Sequence, residues 1–464
     1  MSAAQSQISL AAELASICGE EQVKEDATTL AAFAIDDVTP AAAVSPGSAE
    51  EIAAILRFAS EHDLVVAPCG GCTAQATGRI PERIDILLRT NRLNAVEHYD
   101  PGDLTAGFGA GTTLATLQET LAKNNQFLPL AVASPSEATI GGLLACAAQN
   151  ALSHGYGGLR DFCIGIQFVT GDGKLAKGGG RVVKNVAGYD LMKLLIGSYG
   201  TLGVITSANF KVFPRPETRG QLRTYMAEFS SLSEAMVFGD ELRLSPLEPL
   251  CVELVSPRAL EYLADQPAPA RNPDDFAPAQ PVHVGEETWR IAVRAAGSET
   301  VLVRYHRELG GAVSRELNGE EESALWRAVT RFAAAVAARH RNQMLLQIDT
   351  IPTAVEAAIL AAQQAAVDNN FIPALTGTLM RGTLTVAFVP LSVDPPSAMQ
   401  FATAVSALRA ALPEESRAIV LRCPTEAKRH FDVWDNGSSD FSSMQAVRRA
   451  LDPKSVLNRG RFIV

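Results

Sequence analysis

The chain has 464 residues, 47% of them apolar and 20% charged, with a formal net charge of −11. That length allows two or three domains with cores of their own, and the composition excludes disordered and collagen-like chains. The acidic balance argues against nucleic acid as a partner, because phosphate binding needs clustered Lys and Arg.

Cys18, Cys69, Cys72, Cys146, Cys163, Cys251 and Cys423 are seven in number and scattered, which does not read as a disulfide framework. The N-terminus lacks the basic start of a signal peptide. No apolar run reaches the roughly 18–20 residues of a membrane span. A cytoplasmic location is the expectation.

In chain order, residues 9–18 and 49–61 have helical apolar spacing, the second opened by Ser48 with Glu51 three residues on. Val65–Ala67 and Ile84–Leu88 read as short buried strands. Leu93–Val96 and Leu104–Gly107 read as further strands, with Asp100-Pro101-Gly102-Asp103 as a turn. Residues 112–124 predict an amphipathic helix, and residues 140–150 one opened by Gly141-Gly142. A strand over Ile164–Thr170, a Gly171-Asp172-Gly173 turn, a helix over Leu191–Ser198 and a strand over Gly203–Val212 complete this half.

After Pro216 strands and helices alternate. Strands are predicted at 222–228, 250–255, 288–295, 343–349, 373–377, 383–389 and 418–422. Helices are predicted at 231–244, 298–309, 321–340, 353–369 and 396–411, packed on one face of the sheet. Residues 264–281, rich in Pro, Ala and Asp, read as an exposed loop. Residues 441–464 add a helix and a strand-like tail.

Two glycine-rich turns carry the functional signal. Pro68-Cys69-Gly70-Gly71-Cys72-Thr73 follows the first strand, and Pro135-Ser136-Glu137-Ala138-Thr139-Ile140-Gly141-Gly142 precedes a helix. Glycine lets main-chain N–H groups approach a phosphate and form an anion nest. A loop-to-helix junction adds dipole and N–H donors. No G-x-G-x-x-G stands after a suitable strand, which argues against a Rossmann nicotinamide site.

With these loops stand Arg160-Asp161-Phe162, Val183-Lys184-Asn185-Val186-Ala187-Gly188-Tyr189-Asp190-Leu191 and Gly197-Ser198-Tyr199-Gly200-Thr201-Leu202-Gly203-Val204. The tail runs Leu451-Asp452-Pro453-Lys454-Ser455-Val456-Leu457-Asn458-Arg459-Gly460-Arg461-Phe462. Together they resemble the FAD-binding oxidoreductases of the vanillyl-alcohol oxidase / p-cresol methylhydroxylase superfamily. Within it, Gly179 to Pro216 is most similar to the FAD-binding subunits of bacterial glycolate oxidases (glycolate dehydrogenases), and the tail resembles their closing segment with Arg459 where proline is usual. The similarity is strong over about 45–216, good at 450–462 and weak between them.

The resemblance implies an α+β fold. A two-part PCMH-type FAD-binding domain (1–216) is followed by a ferredoxin-like α+β cap (217–440), and a C-terminal segment (441–464) returns to the flavin domain. It carries Pro68, Cys69, Gly70, Gly71, Cys72, Thr73 and Gln75 over as the first pyrophosphate loop. Pro135, Thr139, Gly141 and Gly142 form the second contact region. Gly200, Gly203, Val204 and Ile205 would lie near the adenine and flavin, and Asn458 near the ring. Tyr189 and Asp190 read as bracing the fold.

Some relatives carry histidine where Cys72 stands and use it to bond the flavin, so FAD is expected to be non-covalent here. Cys69-Gly-Gly-Cys72 also mimics a zinc or redox pair. Zinc needs about four ligands, and no second pair at ligand spacing is seen, so no metal is expected. A redox disulfide would call for a following helix, which Thr73–Gly78 does not resemble. Two small side chains in a phosphate loop is the simpler expectation.

Oxidising a 2-hydroxy acid takes a cation for the carboxylate, a base for the hydroxyl proton, and the flavin for the electrons. Arg381 and Arg422 are the candidate cations of the cap, and His430 the candidate base; no paired-histidine pattern is present. The resemblance implies a second flavoprotein subunit and an iron–sulfur subunit as partners, with membrane contact only through them. The rival expectations are a stand-alone FAD-dependent 2-hydroxy-acid (D-lactate-type) dehydrogenase and a non-catalytic flavin-binding assembly subunit.

Overall fold

The computed structural model describes residues 9–182, 190–264, 288–435 and 440–463. The 183–189 motif with Tyr189, and nearly all of the expected 264–281 loop, lie outside the described residues.

Three large sheets organise the described residues, with a two-stranded pair of Gln126–Phe127 and Phe213–Pro214 beside them. The first has four strands in the order Val23–Lys24, Ala42–Val44, Ile86–Arg89, Val66–Cys69. Its last three strands are parallel, and the helix Ala49–Glu61 packs Ile52, Ile55 and Leu56 into their core. Ser48 Oγ accepts from Glu51 N at 3.1 Å, as expected of an N-cap. The Glu51 carboxylate reaches one residue further out and accepts from Gly47 N.

The second sheet is antiparallel, in the order Val96–Asp100, Thr105–Gly109, Val204–Lys211, Cys163–Val169, Leu175–Gly179. It stacks on the helices Leu114–Ala122 and Ile140–Ala145 through Phe108, Leu117, Leu144 and Phe168. The expected Leu93–Val96 strand sits later, at Val96–Asp100, and the expected helix over 140–150 stops at Ala145.

The third sheet has eight strands, all antiparallel. Its order is Val313–Leu317, Gln221–Phe229, Trp289–Gly297, Cys251–Val255, Phe371–Thr378, Thr383–Pro390, Met344–Asp349, Arg417–Arg422. Val252, Leu254, Leu346, Leu375 and Val386 form a core on one face with the helices Leu232–Leu244, Glu299–Leu309, Val355–Asp368 and Ala398–Ala411. The opposite face is not bare. Val255, Leu345, Ala374 and Ala387 pack there with Tyr262 and Phe332 from the helices Pro257–Ala264 and Gly319–Arg339. The one-faced arrangement expected from sequence is therefore corrected. All five residues of Cys251–Val255 are buried, as a strand covered on both faces requires.

The tail returns to the first sheet. Leu457 bridges Val66 in parallel, and Val66 N and Asn458 N bond across to Val456 O and Val66 O at 2.8 and 2.9 Å. The Asp452 carboxylate accepts from the N–H groups of Val456 and Leu457, which fixes the turn before this contact. The expected strand-like tail is this single bridge followed by turns.

Candidate functional site

Four chain segments converge on one cleft. The end of the strand Val66–Cys69 runs into the turn Gly70–Gln75. Facing it are Thr139 with the helix Ile140–Ala145, then Tyr199–Ile205, and from the tail Asn458 and Arg461. Pro68, Cys69, Gly70, Gly71, Cys72, Thr73, Gln75, Thr139, Gly141, Gly142, Gly200, Gly203, Val204, Ile205 and Asn458 all line it. Pro135 does not; it is exposed, and its carbonyl accepts from Ala115 N.

The two glycine turns are built against each other. A Cβ on Gly70 would lie 1.8 Å from Thr139 Oγ1, and one on Gly71 would lie 1.8 Å from Glu137 O. Only glycine allows this seam. Among the described residues, the N–H groups of Gly71, Cys72 and Thr73 find no acceptor in the chain. Thr139 is 4% exposed, and its Oγ1 has no partner. Unspent donors around a cradle that a Cβ would fill are what a phosphate-bearing cofactor needs. Gly141 differs from expectation, since its N–H already donates to Ala110 O at 2.8 Å and is not free for a phosphate.

Cys69 and Cys72 form a disulfide, with Cα atoms 5.5 Å apart. This overturns the reading of two independent small side chains. The expectation that a helix must follow comes from sites that stabilise a thiolate. Pairing itself requires only close Cα atoms, which the Gly70-Gly71 turn supplies. Because its sulfur is bonded to Cys69, Cys72 has none to offer a flavin.

Among the cleft residues that sequence reasoning missed are Arg461, Tyr199 and Cys146. Arg461, 5% exposed, donates from Nη2 to Gln75 O at 2.8 Å and also to Thr77 O. Its Nη1 has no hydrogen-bond partner and lies 4.0 Å from Asp36. Burial pulls the Arg461 pKa below its usual range, and Asp36 opposes this. Tyr199, at φ 51°, packs on Trp434 and Phe462 at 4.7 and 5.4 Å, and its carbonyl accepts from Asn458 Nδ2. Burial pushes the Tyr199 hydroxyl up, so it stays protonated. Burial also pushes the Cys146 thiol up to about 11, which keeps it neutral. Arg461 and Tyr199 lay inside the quoted motifs, but their side-chain directions did not show in sequence.

The cap candidates stand outside the lining. Arg381 is exposed on the turn Leu379–Arg381. It acts on His154, whose pKa is lowered first by burial and then by the Arg381 charge. Arg422 is exposed at the end of its strand; the preceding carbonyl, of Leu421, accepts from the cleft residue Thr77. His430 is exposed, with Nε2 3.8 Å from Glu426.

Residues 40–179 match the family described as FAD binding domain. The chain carries a PCMH-type FAD-binding domain. The fold agrees: p-cresol methylhydroxylase with substrate bound superposes with a TM-score of 0.74 over 97% of this chain and 95% of that one, at 14% identity. The D-2-hydroxyglutarate dehydrogenase of Xanthomonas citri pv. viticola is 26% identical over 440 residues, covering 91% of this chain and 89% of that protein. Glycolate oxidase subunit GlcE of Escherichia coli is 42% identical over 153 residues, which is 33% of this chain and 43% of that protein. The stretch shared with GlcE thus spans less than half of either chain.

Proposed function

We propose that this flavoprotein is the FAD-binding subunit of a glycolate oxidase-type complex, which oxidises glycolate or a related 2-hydroxy acid and passes electrons to an iron–sulfur partner. The chain is an FAD-dependent oxidoreductase. When bound, FAD accepts two electrons from the substrate carbon. The protein's part is position and charge. The N–H groups of Gly71, Cys72 and Thr73 hold the pyrophosphate without a lysine, each charge-assisted bond contributing about 1.5–3 kcal/mol. Arg461 fixes the loop beyond them, and Asn458 ties the tail to the Tyr199 carbonyl. FAD is held non-covalently, and membrane contact comes only through partners.

One observation carries the subunit reading. The cleft is fully built from cofactor-facing loops, while Arg381, Arg422 and His430 stand outside its lining. Arg381 beside His154 pairs a cation with a neutral imidazole, the two groups a hydroxy acid needs. That pair lies where the helix Ser153–Tyr156 meets the eight-stranded sheet.

A second reading is a stand-alone 2-hydroxy-acid dehydrogenase, favoured by the near full-length alignment with a D-2-hydroxyglutarate dehydrogenase. Anaerobic flavin bleaching by glycolate, D-lactate and D-2-hydroxyglutarate, with and without co-expressed partner subunits, separates the two. Slow bleaching of the lone chain, restored by partners, supports the subunit reading. Fast bleaching of the lone chain, lost in Arg381→Ala or Arg422→Ala, makes it a complete dehydrogenase.

A further inference from the structure

The disulfide lies at the seam of the cofactor cleft, with Cys69 in the small apolar cluster of the first sheet and Cys72 packed against that cluster. Cys69 ends a strand of the first sheet and is 4% exposed. Cys72 is half-exposed and sits at φ 57°, a left-handed conformation uncommon for a residue other than glycine. Between them, Gly70 and Gly71 press on Thr139 and on the Glu137 carbonyl. Both cysteines and both glycines line the cleft.

The chain on either side is held independently of the bridge. On one side Cys69 pairs in register with Arg89, and its carbonyl accepts from Thr90 N. On the other, Arg461 grips the carbonyls of Gln75 and Thr77, and Lys428 grips those of Ala76 and Gly78. The short arc between the two anchors is the part the bridge restrains, and it is the part that presents unspent N–H donors. A cross-link there pre-forms the anion nest, so that binding does not have to order it.

We propose that Cys69–Cys72 is a thiol–disulfide exchange site that sets how tightly the cleft holds FAD, with a dithiol as its co-reactant. A thiolate of the dithiol attacks Cys72 Sγ, the more exposed sulfur. The Cys69–Cys72 bond breaks, a mixed disulfide forms, and Cys69 leaves as thiolate and takes a proton. The second thiol of the reagent, as thiolate, then displaces Cys72, which is protonated in turn. The dithiol is oxidised to its own disulfide, and the protein gains two electrons and two protons. With the bridge open, Cys72 is free to leave its left-handed conformation, and the nest loosens. Coupling is reciprocal, so bound FAD shifts the exchange toward the bridged form by the same factor.

The test uses the holoprotein. Dithiothreitol is added and removed under argon, the FAD Kd is measured by flavin fluorescence, and alkylated cysteines are mapped by peptide mass spectrometry. Reduction is expected to add alkylation at Cys69 and Cys72 and to raise the Kd by about tenfold, a typical coupling factor between two sites. Cys72→Ser, checked for folding by circular dichroism, is expected to show the raised Kd from the start and no response to dithiol. Saturating FAD is expected to raise the dithiol concentration needed for reduction. An unchanged Kd in wild-type protein alkylated at both positions overturns the proposal. So does full alkylation of Cys69 and Cys72 in air-equilibrated holoprotein before any reductant is added.

Discussion

Lys428 Nζ lies 2.8 Å from both carboxylate oxygens of Asp36, 392 residues away in sequence. The two side chains are 1% and 7% exposed. The same ammonium also donates to Ala76 O and Gly78 O at 2.7 and 3.1 Å, so one charge ties three parts of the chain together. Removing one partner of a buried pair leaves the other uncompensated. Lys428→Met is therefore expected to cost about 3 kcal/mol of stability. Urea unfolding of the apoprotein reads this directly, and a midpoint equal to wild type would show that the pair contributes nothing.

Gly71 and Gly142 both line the cleft but differ in what surrounds them. A Cβ at Gly142 meets nothing closer than 3.4 Å, whereas one at Gly71 runs into the Glu137 carbonyl. Gly142→Ala sits in a helix and is expected to leave apoprotein stability unchanged or slightly raised. Its added methyl projects into the cleft and is expected to weaken FAD binding tenfold or more, about 1.4 kcal/mol. Gly71→Ala is expected to lose both FAD and stability. Flavin titration with thermal melts separates the two. Normal FAD binding by Gly142→Ala would remove that helix from the cofactor site.

Glu253 is 5% exposed, and burial raises its pKa to about 8, with the Thr378 hydroxyl donating at 2.9 Å and partly opposing the shift. Between the unfolded value of about 4.3 and this folded value, the native state holds a proton that the unfolded state has lost. Stability therefore falls as pH rises through that window, by up to about 1.4 kcal/mol per unit. Glu253→Gln keeps the shape without the titration. It is expected to melt higher than wild type at pH 8, with the gap narrowing toward pH 5. Parallel melting curves across that range would place the Glu253 pKa near its ordinary value.

With Cys72 bonded to Cys69, the flavin is expected to leave the protein on acid precipitation and appear in the supernatant. Colour retained in the washed pellet would show a covalent link to another residue.

Although the contacts of Gly70 with Thr139 and of Gly71 with Glu137 are long-range, the glycine loops were legible because Gly-Gly after a strand is a local turn signal. Ser48 and the long amphipathic helices were legible for the same reason. Arg461 was not. Its role depends on the tail returning to Val66 and on Asp36 and Gln75 waiting there, and neither contact leaves a periodicity. The strand Val313–Leu317 and the helix Pro257–Ala264 were missed as short elements next to stronger signals. The second covered face of the large sheet was missed because the spacing of Gly319–Arg339 predicts a helix but not which face of the sheet it covers. The Cys69–Cys72 bridge was misjudged because a motif rule about reactive thiolates was applied to a question of reach.

Gln75 and Arg461 meet across 386 residues of chain. During synthesis the first glycine loop leaves the ribosome long before the residue that secures it. At typical elongation rates the gap is roughly 20–80 s. Over most of that time the loop has its strand but neither Lys428 nor Arg461 to hold its far side. Flavin capture is thus expected to be a late event in the life of the polypeptide. A ribosome stalled just before position 461 is expected to display a chain without the clasp on Gln75 and Thr77.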